Sequence, residues 1–200
     1  EVEFQVEGEL AGLRIDPNVG PGRTRIDWID LERVSGDQAV WAPVMLAWEV
    51  RPSSEVTFTV TDADGTPCMG AFEIRDRYGR IYPAQPKRLA PDMFFQTQIY
   101  RETGEIIHLP RGEYTVRCTH GPESIPEVKS LVIGNEPVKL DYRVARWIDT
   151  ETLGYWSGDH HIHAAGCLHY ESPSQGIMPA DMLRHIMGED VKVGCCLTWG

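Results

Sequence analysis

Short alternating runs, each followed by a turn, are the feature that most constrains the fold of this chain. Residues 55–61, EVTFTVT, place Val56, Phe58 and Val60 on one side of an extended backbone and three threonines on the other. A strand with this period of two buries one face and leaves the other in water. The sequence DADG at residues 62–65 is typical of a turn. This run therefore predicts a half-buried strand.

Six further runs of this kind precede residue 145. None of them shows the 3.6-residue period of an amphipathic helix. Seven short strands divided by turn signals favour an antiparallel β-sandwich of about 100 residues, and thus a mainly β fold class. The predicted strands lie at 55–61, 71–76, 94–100, 105–109, 112–119, 127–133 and 138–144.

The first 45 residues show less regular alternation of apolar and polar residues. Residues 2–6 predict an edge strand, and PNVGPG at residues 17–22 predicts a loop. The predicted first domain is therefore a β-sandwich with an N-terminal extension, residues 1–147. Three tryptophans are expected to pack against the sandwich or to cover its edge: Trp28, Trp41 and Trp48.

The pattern changes after residue 147 to strand, helix and strand. Residues 155–164, YWSGDHHIHA, predict a strand that ends in a polar cluster, and residues 191–197 predict a second, buried strand. Between them, residues 179–187 predict a helix with proline at its first position. This order builds a parallel βαβ unit, which cannot by itself bury both faces of its sheet. We therefore expect residues 148–200 to be one βαβ unit of an incomplete α/β domain, in a longer polypeptide.

The chemistry is concentrated in residues 158–171, which hold four of the seven histidines. Alternation along a strand places His161 and His163 on the same side, with Asp159 on that face. Two imidazoles at the carboxyl end of a strand form half of a site for a divalent metal, and α/β sheets and barrels bind ligands at this end. We predict His161, His163 and Asp159 as metal ligands, with Asp159 also acting in catalysis. The alternative is a chance pair of histidines that only form hydrogen bonds in a loop.

The remaining histidines carry weaker signals. His185 is expected to be a half-exposed side chain of the helix. His108 and His120 lie among the sandwich strands without a partner motif, so no role is assigned to them. A further group comprises either loop and structural residues or additional contacts of a metal or substrate: His160, Cys167, His169, Tyr170 and Glu171.

The cysteines leave two questions open. Cys68 and Cys118 both lie in the sandwich and could form a disulfide if their strands are neighbours. Cys195 and Cys196 are expected to be small core residues of the last strand. The chain contains no CxxC motif, which argues against a zinc ribbon.

Charge and hydropathy exclude several classes of partner. The chain carries 19 basic and 30 acidic residues, a net charge of −11. Such a chain has the wrong electrostatic field for nucleic acid or an anionic membrane surface. No apolar run approaches the roughly 20 residues that span a bilayer. We therefore expect no nucleic acid partner and no membrane span.

Residues 156–163, WSGDHHIH, resemble the opening motif of PHP-type (polymerase and histidinol phosphatase) metal-dependent hydrolases, in particular the carbaryl-hydrolase-like branch. The resemblance implies a distorted barrel of seven βα units, truncated here so that residues 148–200 are its first βαβ unit. It implies a small-molecule substrate and a site for two or three ions of Zn²⁺, Mn²⁺ or Fe. It also implies that His161 and His163 are the first ligands, and that the protein is secreted, periplasmic or at the cell surface. Residues 62–83 and 109–118 of the sandwich resemble carboxypeptidase-regulatory-like and transthyretin-like modules, which are usually non-catalytic.

One position departs from the family pattern. The second motif of the family, T-D-H, falls where this chain has Thr198-Trp199-Gly200, so tryptophan and glycine replace two ligands. Either the metal site is reduced or the chemistry is altered.

The leading hypothesis for the function is the N-terminal part of a secreted hydrolase that attacks an ester, carbamate or phosphoester with metal-bound hydroxide. We expect the 200 residues alone to have little or no hydrolase activity. The alternative is a non-catalytic extracellular binding or structural module with a degenerate PHP-like domain. Its partner would be the rest of its own polypeptide or an extracellular assembly.

Overall fold

A computed structural model of the chain describes residues 33–35, 38–40, 53–164 and 177–197. These residues are mainly β-structure with a single α-helix, which confirms the predicted fold class. No helix among them is long and apolar enough to cross a membrane. The predicted strand at 2–6 and the three N-terminal tryptophans lie outside the described residues.

The secondary-structure elements follow the predicted order closely. Two short 3₁₀ turns, Gln85–Lys87 and Glu151–Leu153, interrupt the loops. The strands and the helix are β1 (Arg33–Ser35), β2 (Gln38–Val40), β3 (Ser53–Thr61), β4 (Met69–Asp76), β5 (Ile81–Tyr82), β6 (Ile99–Glu102), β7 (Ile106–Pro110), β8 (Gly112–Thr119), β9 (Glu127–Ile133), β10 (Val138–Arg143), β11 (Gly158–His163), α1 (Pro179–Gly188) and β12 (Val193–Leu197).

Two sheets form the sandwich. One has the strand order β10-β3-β7, and the other has the order β5-β4-β8-β9 with β6 paired to β4. All pairings are antiparallel except β3 with β10, which run parallel with Val56 opposite Val138. The sandwich is thus antiparallel, as predicted, apart from this one parallel pair. The chain crosses from β9 in one sheet to β10 in the other, so no hairpin constrains the direction of β10 beside β3.

Aromatic side chains from both sheets join them across the core. The ring of Phe58 on β3 lies 4.7 Å from the ring of Phe72 on β4, measured between centroids. Phe72 also meets Tyr142 on β10 edge to face at 5.9 Å. The predicted inward faces of β3, β8 and β10 are the buried ones. Period-two alternation thus identified the core correctly.

The predicted strand at 94–100 forms only from Ile99 onward. The guanidinium of Arg88 donates hydrogen bonds to the carbonyls of Gln96, Thr97 and Gln98 at 2.8, 3.1 and 3.0 Å. Carbonyls that converge on one side chain cannot also form the evenly spaced ladder of a sheet. This segment is therefore a loop with an arginine at its centre.

Cys68 and Cys118 are free thiols. In the register of β4 with β8, Cys118 lies opposite Phe72, four residues along the chain from Cys68. Four residues of a strand span about 13 Å, well beyond the reach of a disulfide. The open question of their pairing is settled by this register.

The strand–helix–strand unit has the predicted order and parallel pairing, but its last strand is not buried. β11 pairs in parallel with β12, and α1 connects them. Val193 is 54% exposed and Cys195 is exposed, so the predictions of a buried strand and of a core role for Cys195 were wrong. Within the described part of the chain, Ile186 of α1 covers β12 at Gly194 and β11 is its one strand neighbour.

The helix α1 packs against β4 and β6 of the sandwich. His185 is only 7% exposed; its ring lies 4.7 Å from that of Tyr100, and its nitrogens contact Gln96 and the Pro91 carbonyl. The prediction of a half-exposed His185 was wrong, because the sandwich covers this face of the helix. Arg184 adds a 2.6 Å ion pair with Glu105. The helix is thus fastened to the sandwich by polar contacts around one aromatic stack.

Candidate metal centre

The two predicted ligand histidines lie at the carboxyl end of β11. The parallel neighbour of β11 is β12, with His163 opposite Leu197. Both histidines are exposed. The strand therefore presents them at the sheet edge where α/β proteins bind ligands.

The imidazoles of His161 and His163 converge. Their Nε2 atoms are 3.1 Å apart and their ring centroids 4.9 Å apart. Two nitrogens that bind one tetrahedral Zn²⁺ at its usual distances are about 3.3–3.4 Å apart. The observed separation is close to that value. The donor set therefore fits a divalent metal with a small adjustment of the two rings.

Asp159 does not join this pair directly. Its carboxylate Oδ1 accepts a hydrogen bond of 2.9 Å from the backbone N–H of His161. The register of the two strands explains this placement. Asp159 lies opposite Gly194, and Ile162 lies opposite Cys196. The interval is therefore three residues on β11 but two residues on β12. A bulge of this kind interrupts the alternation of side chains. Asp159 therefore holds the backbone of His161, and its role as a ligand stays a prediction.

Within the described ranges, no three His, Cys, Asp or Glu side chains are grouped so that they could hold a metal. The ring of His160 lies 6.3 Å from that of His161 in an edge-to-face contact. Cys167, His169, Tyr170 and Glu171 lie outside the described residues, as does the Thr198–Gly200 departure. The described residues thus provide two nitrogen donors.

A buried ionic group connects the start of β11 to the sandwich. Asp190, which follows α1, contacts Arg146 at 2.5 Å, Lys192 at 2.8 Å and His120 at 3.3 Å. We call these four residues the Asp190 cluster. The backbone carbonyl of Asp190 also accepts a 2.8 Å hydrogen bond from the hydroxyl of Ser157, the residue before β11. The cluster therefore fixes the position at which the histidine strand begins.

Electrostatics keep Asp190 and Arg146 ionised. Burial alone would raise the pKa of Asp190, but hydrogen bonds from His120, Arg146 and Lys192 outweigh it and hold that pKa well below its usual range. The hydrogen bonds that Arg146 donates to the carboxylates of Asp62 and Asp190 raise the pKa of its guanidinium against the effect of burial. Arg146 is thus a permanent cation between two carboxylates.

Sequence reasoning missed this cluster. His120 was assigned no role, yet its Nδ1 lies 2.7 Å from the Met69 carbonyl and its Nε2 faces Asp190. The members come from positions 120, 146, 190 and 192, which no local pattern connects. Asp190 has a φ of 53°, and aspartate tolerates this left-handed conformation better than most residues. An aspartate directly after the end of a predicted helix was therefore the one sequence feature that pointed to Asp190.

Comparison with known proteins gives little further information. No family model matches the chain, and no curated protein matches it. Among solved structures the chain is similar to the TIE protein of Bacillus anthracis, at 17% identity and a TM-score of 0.33. The match covers 50% of this chain and 19% of that one, so it spans about a fifth of that protein. A likeness of this size indicates neither a shared fold nor a shared function.

Proposed function

We propose that this chain is the N-terminal part of a secreted, metal-dependent hydrolase, in which a β-sandwich precedes the first βαβ unit of a PHP-like catalytic domain. The substrate class would be an ester, carbamate or phosphoester. The observation that carries the proposal is the 3.1 Å separation of the His161 and His163 Nε2 atoms at the carboxyl end of a parallel strand. A divalent metal bound there supplies an activated water for hydrolysis.

The residues of this chain have distinct roles in the proposed site. His161 and His163 would hold the ion. Asp159 is a positioning residue, since its carboxylate fixes the backbone of His161. Further ligands would come from the other βα loops of the barrel. The exposed faces of β11 and β12 support this larger sheet, because parallel sheets are usually covered on both faces.

A second candidate is a non-catalytic binding module with a degenerate metal site. The engagement of the Asp159 carboxylate with the backbone of its own strand favours it, since that leaves two donors among the described residues. In that case the His161–His163 contact is an imidazole hydrogen bond and the sandwich is the functional part.

Zinc titration of the 200-residue chain, followed by isothermal calorimetry at neutral pH, distinguishes these candidates. Substitutions His161→Ala and His163→Ala should each weaken zinc binding about ten-fold or more, because one nitrogen donor is lost. His160→Ala is the matched control: it removes an exposed imidazole from the same strand and should change the affinity less than about two-fold. The affinity should also fall at acidic pH, because protons compete with the metal for imidazole.

Equal zinc binding by wild type and both histidine variants would refute the metal site and leave the binding module. The chain alone should turn over ester and phosphoester substrates slowly or not at all. Rapid turnover that His161→Ala abolishes would show that no ligands beyond these 200 residues are needed.

A further inference from the structure

A second, unrelated cleft lies at one end of the sandwich. It is formed between the β4–β5 turn and the β7–β8 turn and has a volume of about 290 Å³. Its walls carry three arginines, Arg77, Arg80 and Arg111, together with Tyr78. The cleft shares no residue with the histidine pair on β11, so it does not depend on the proposed hydrolase function.

The floor and one wall of this cleft are preformed. Tyr82 and Tyr114 are buried beneath it, with their rings edge to face at 5.2 Å. The Asp76 carboxylate accepts hydrogen bonds from the backbone N–H groups of Tyr78 and Arg80 at 2.9 and 3.0 Å. The turn that carries Arg77 and Arg80 is therefore fixed before any ligand binds, which reduces the entropy lost on binding.

The charges of the cleft are not balanced. Arg80 forms a 2.6 Å ion pair with Asp76, whose side chain is 8% exposed, so these two charges neutralise each other. Neither Arg77 nor Arg111 forms a salt bridge within the part of the chain that the structure describes. Glu113 is the remaining carboxylate in the lining. Two unpaired guanidinium groups thus face one acid, in a chain whose net charge is −11.

The Arg77 guanidinium packs on the side chain of its neighbour Tyr78. Its Cζ atom lies 4.7 Å from the centre of the Tyr78 ring, and its Nη2 donates a 2.6 Å hydrogen bond to the Tyr78 hydroxyl. The Arg80 Cζ atom lies 5.3 Å from the centre of the same ring. A planar guanidinium placed in this way is suited to bidentate binding of a carboxylate, phosphate or sulfate group.

We propose that this cleft is a binding site for the oxyanion group of a small ligand, held by Arg77 and Arg111. The overall negative charge of the chain repels anions at long range. Binding there depends on the local arrangement of the two arginines. Carboxylate, phosphate and sulfate share this chemistry, and the probes below separate them.

The test is a titration of the ¹⁵N-labelled 200-residue chain, followed by NMR, with glucuronate, inorganic phosphate and sulfate at constant ionic strength. Saturable shifts are expected for the amides of residues 77–80 and 111–113. Arg77→Gln and Arg111→Gln should each weaken binding about five-fold or more. Arg117→Gln, which removes an exposed arginine from β8 outside the cleft, should change it less than about two-fold.

Tighter binding of glucuronate assigns the site to carboxylates, and tighter binding of phosphate or sulfate assigns it to tetrahedral anions; either result supports the proposal. Shifts that never saturate, or an equal loss of affinity in Arg117→Gln, would overturn it. The zinc affinity of the Arg77 and Arg111 variants should equal that of the wild type, which separates failure at this cleft from failure at the histidine pair.

Discussion

The sandwich and the βαβ unit differ in how completely they bury their apolar side chains. In the sandwich, Phe58, Phe72 and Val116 are fully buried between two sheets that supply each other's cover. In the βαβ unit, α1 and β12 leave Leu183, Met187 and Val193 exposed. The most buried polar side chains of that unit, His185 and Asp190, both face the sandwich. The sandwich is therefore stabilised by its own core, while the βαβ unit depends on its contacts with the sandwich.

This difference shows how far the apolar residues of a strand predict that the strand is buried. Alternation in β3 or β8 implies a partner face, and the second sheet provides it. The apolar run of β12 also predicts burial, but none of the described residues covers its outer positions. An apolar run thus identifies a surface that can be buried, and the rest of the fold decides whether it is.

The largest effect should come from the sandwich core. Phe72→Ala removes a ring that contacts Phe58 and Tyr142 from the opposite sheet, so it should lower the free energy of unfolding by about 3–5 kcal/mol. Leu183→Ala, at a helix position that is 54% exposed, should change it by about 0.5 kcal/mol or less. Urea unfolding followed by circular dichroism measures both. Similar losses from the two substitutions would contradict the contrast between the regions.

The next largest effect should come from the Asp190 cluster. Asp190→Asn keeps the preference for the left-handed backbone at φ 53° but removes the charge. It weakens the contacts of Asp190 with Arg146 and Lys192, which keep Asp62 and Glu151 as partners, and should cost about 1.5–3 kcal/mol. Urea unfolding again provides the measurement. The control is Asp141→Asn at an exposed carboxylate of β10, which should leave the unfolding midpoint unchanged.

The loss of stability caused by Asp190→Asn should depend on pH, and this dependence shows whether the charge of Asp190 stabilises the fold. Because the pKa of Asp190 is depressed in the folded state, its stabilising contribution is fully present above the ordinary carboxyl value of 3.8 and is lost as the pH falls below it. The difference in stability between wild type and Asp190→Asn should therefore shrink below about pH 4. A difference that stays constant from pH 7 to pH 3 would mean that the charge of Asp190 does not stabilise the fold.

A smaller effect should arise where α1 meets the sandwich. A Cβ atom on Gly188 would lie 2.1 Å from the Tyr100 ring, so Gly188→Ala should push the helix away and cost about 1–3 kcal/mol. Gly134→Ala, where a Cβ would meet nothing within 4 Å, is the control. Hydrogen exchange should show faster exchange in α1 with the sandwich core unchanged. Equal acceleration in β3 and β8 would mean that the two regions unfold together.

Much of the sandwich could be predicted from the sequence because its strands follow one local rule. β8 and β9 have the predicted bounds, and α1 ends one residue later than expected. The exceptions occurred where distant contacts override local pattern. Arg88 turns residues 96–98 into a loop by binding their carbonyls, and β10 pairs in parallel through a crossover.

The candidate site was predictable in part. The positions of His161 and His163 follow from alternation over two residues, and the structure places their rings together. Asp159 is separated from them by the bulge, which no feature of the sequence announced. The Asp190 cluster joins residues as far apart as His120 and Lys192. Such long-range ion pairs depend on how the sandwich and the βαβ unit pack together, and no local sequence pattern predicts that packing.

The parallel pairing of β3 with β10 also affects the time at which this protein can fold on the ribosome. β3 is the central strand of its sheet. Its residue Val56 pairs with Val138, which is synthesised 138 − 56 = 82 residues later. Until that segment leaves the exit tunnel, one edge of β3 has no partner, although β7 already covers the other. Contacts of such long sequence separation form late and slowly. A nascent chain stalled before residue 138 would therefore expose the unpaired edge of β3, which is the point at which chaperones or aggregation would compete with folding.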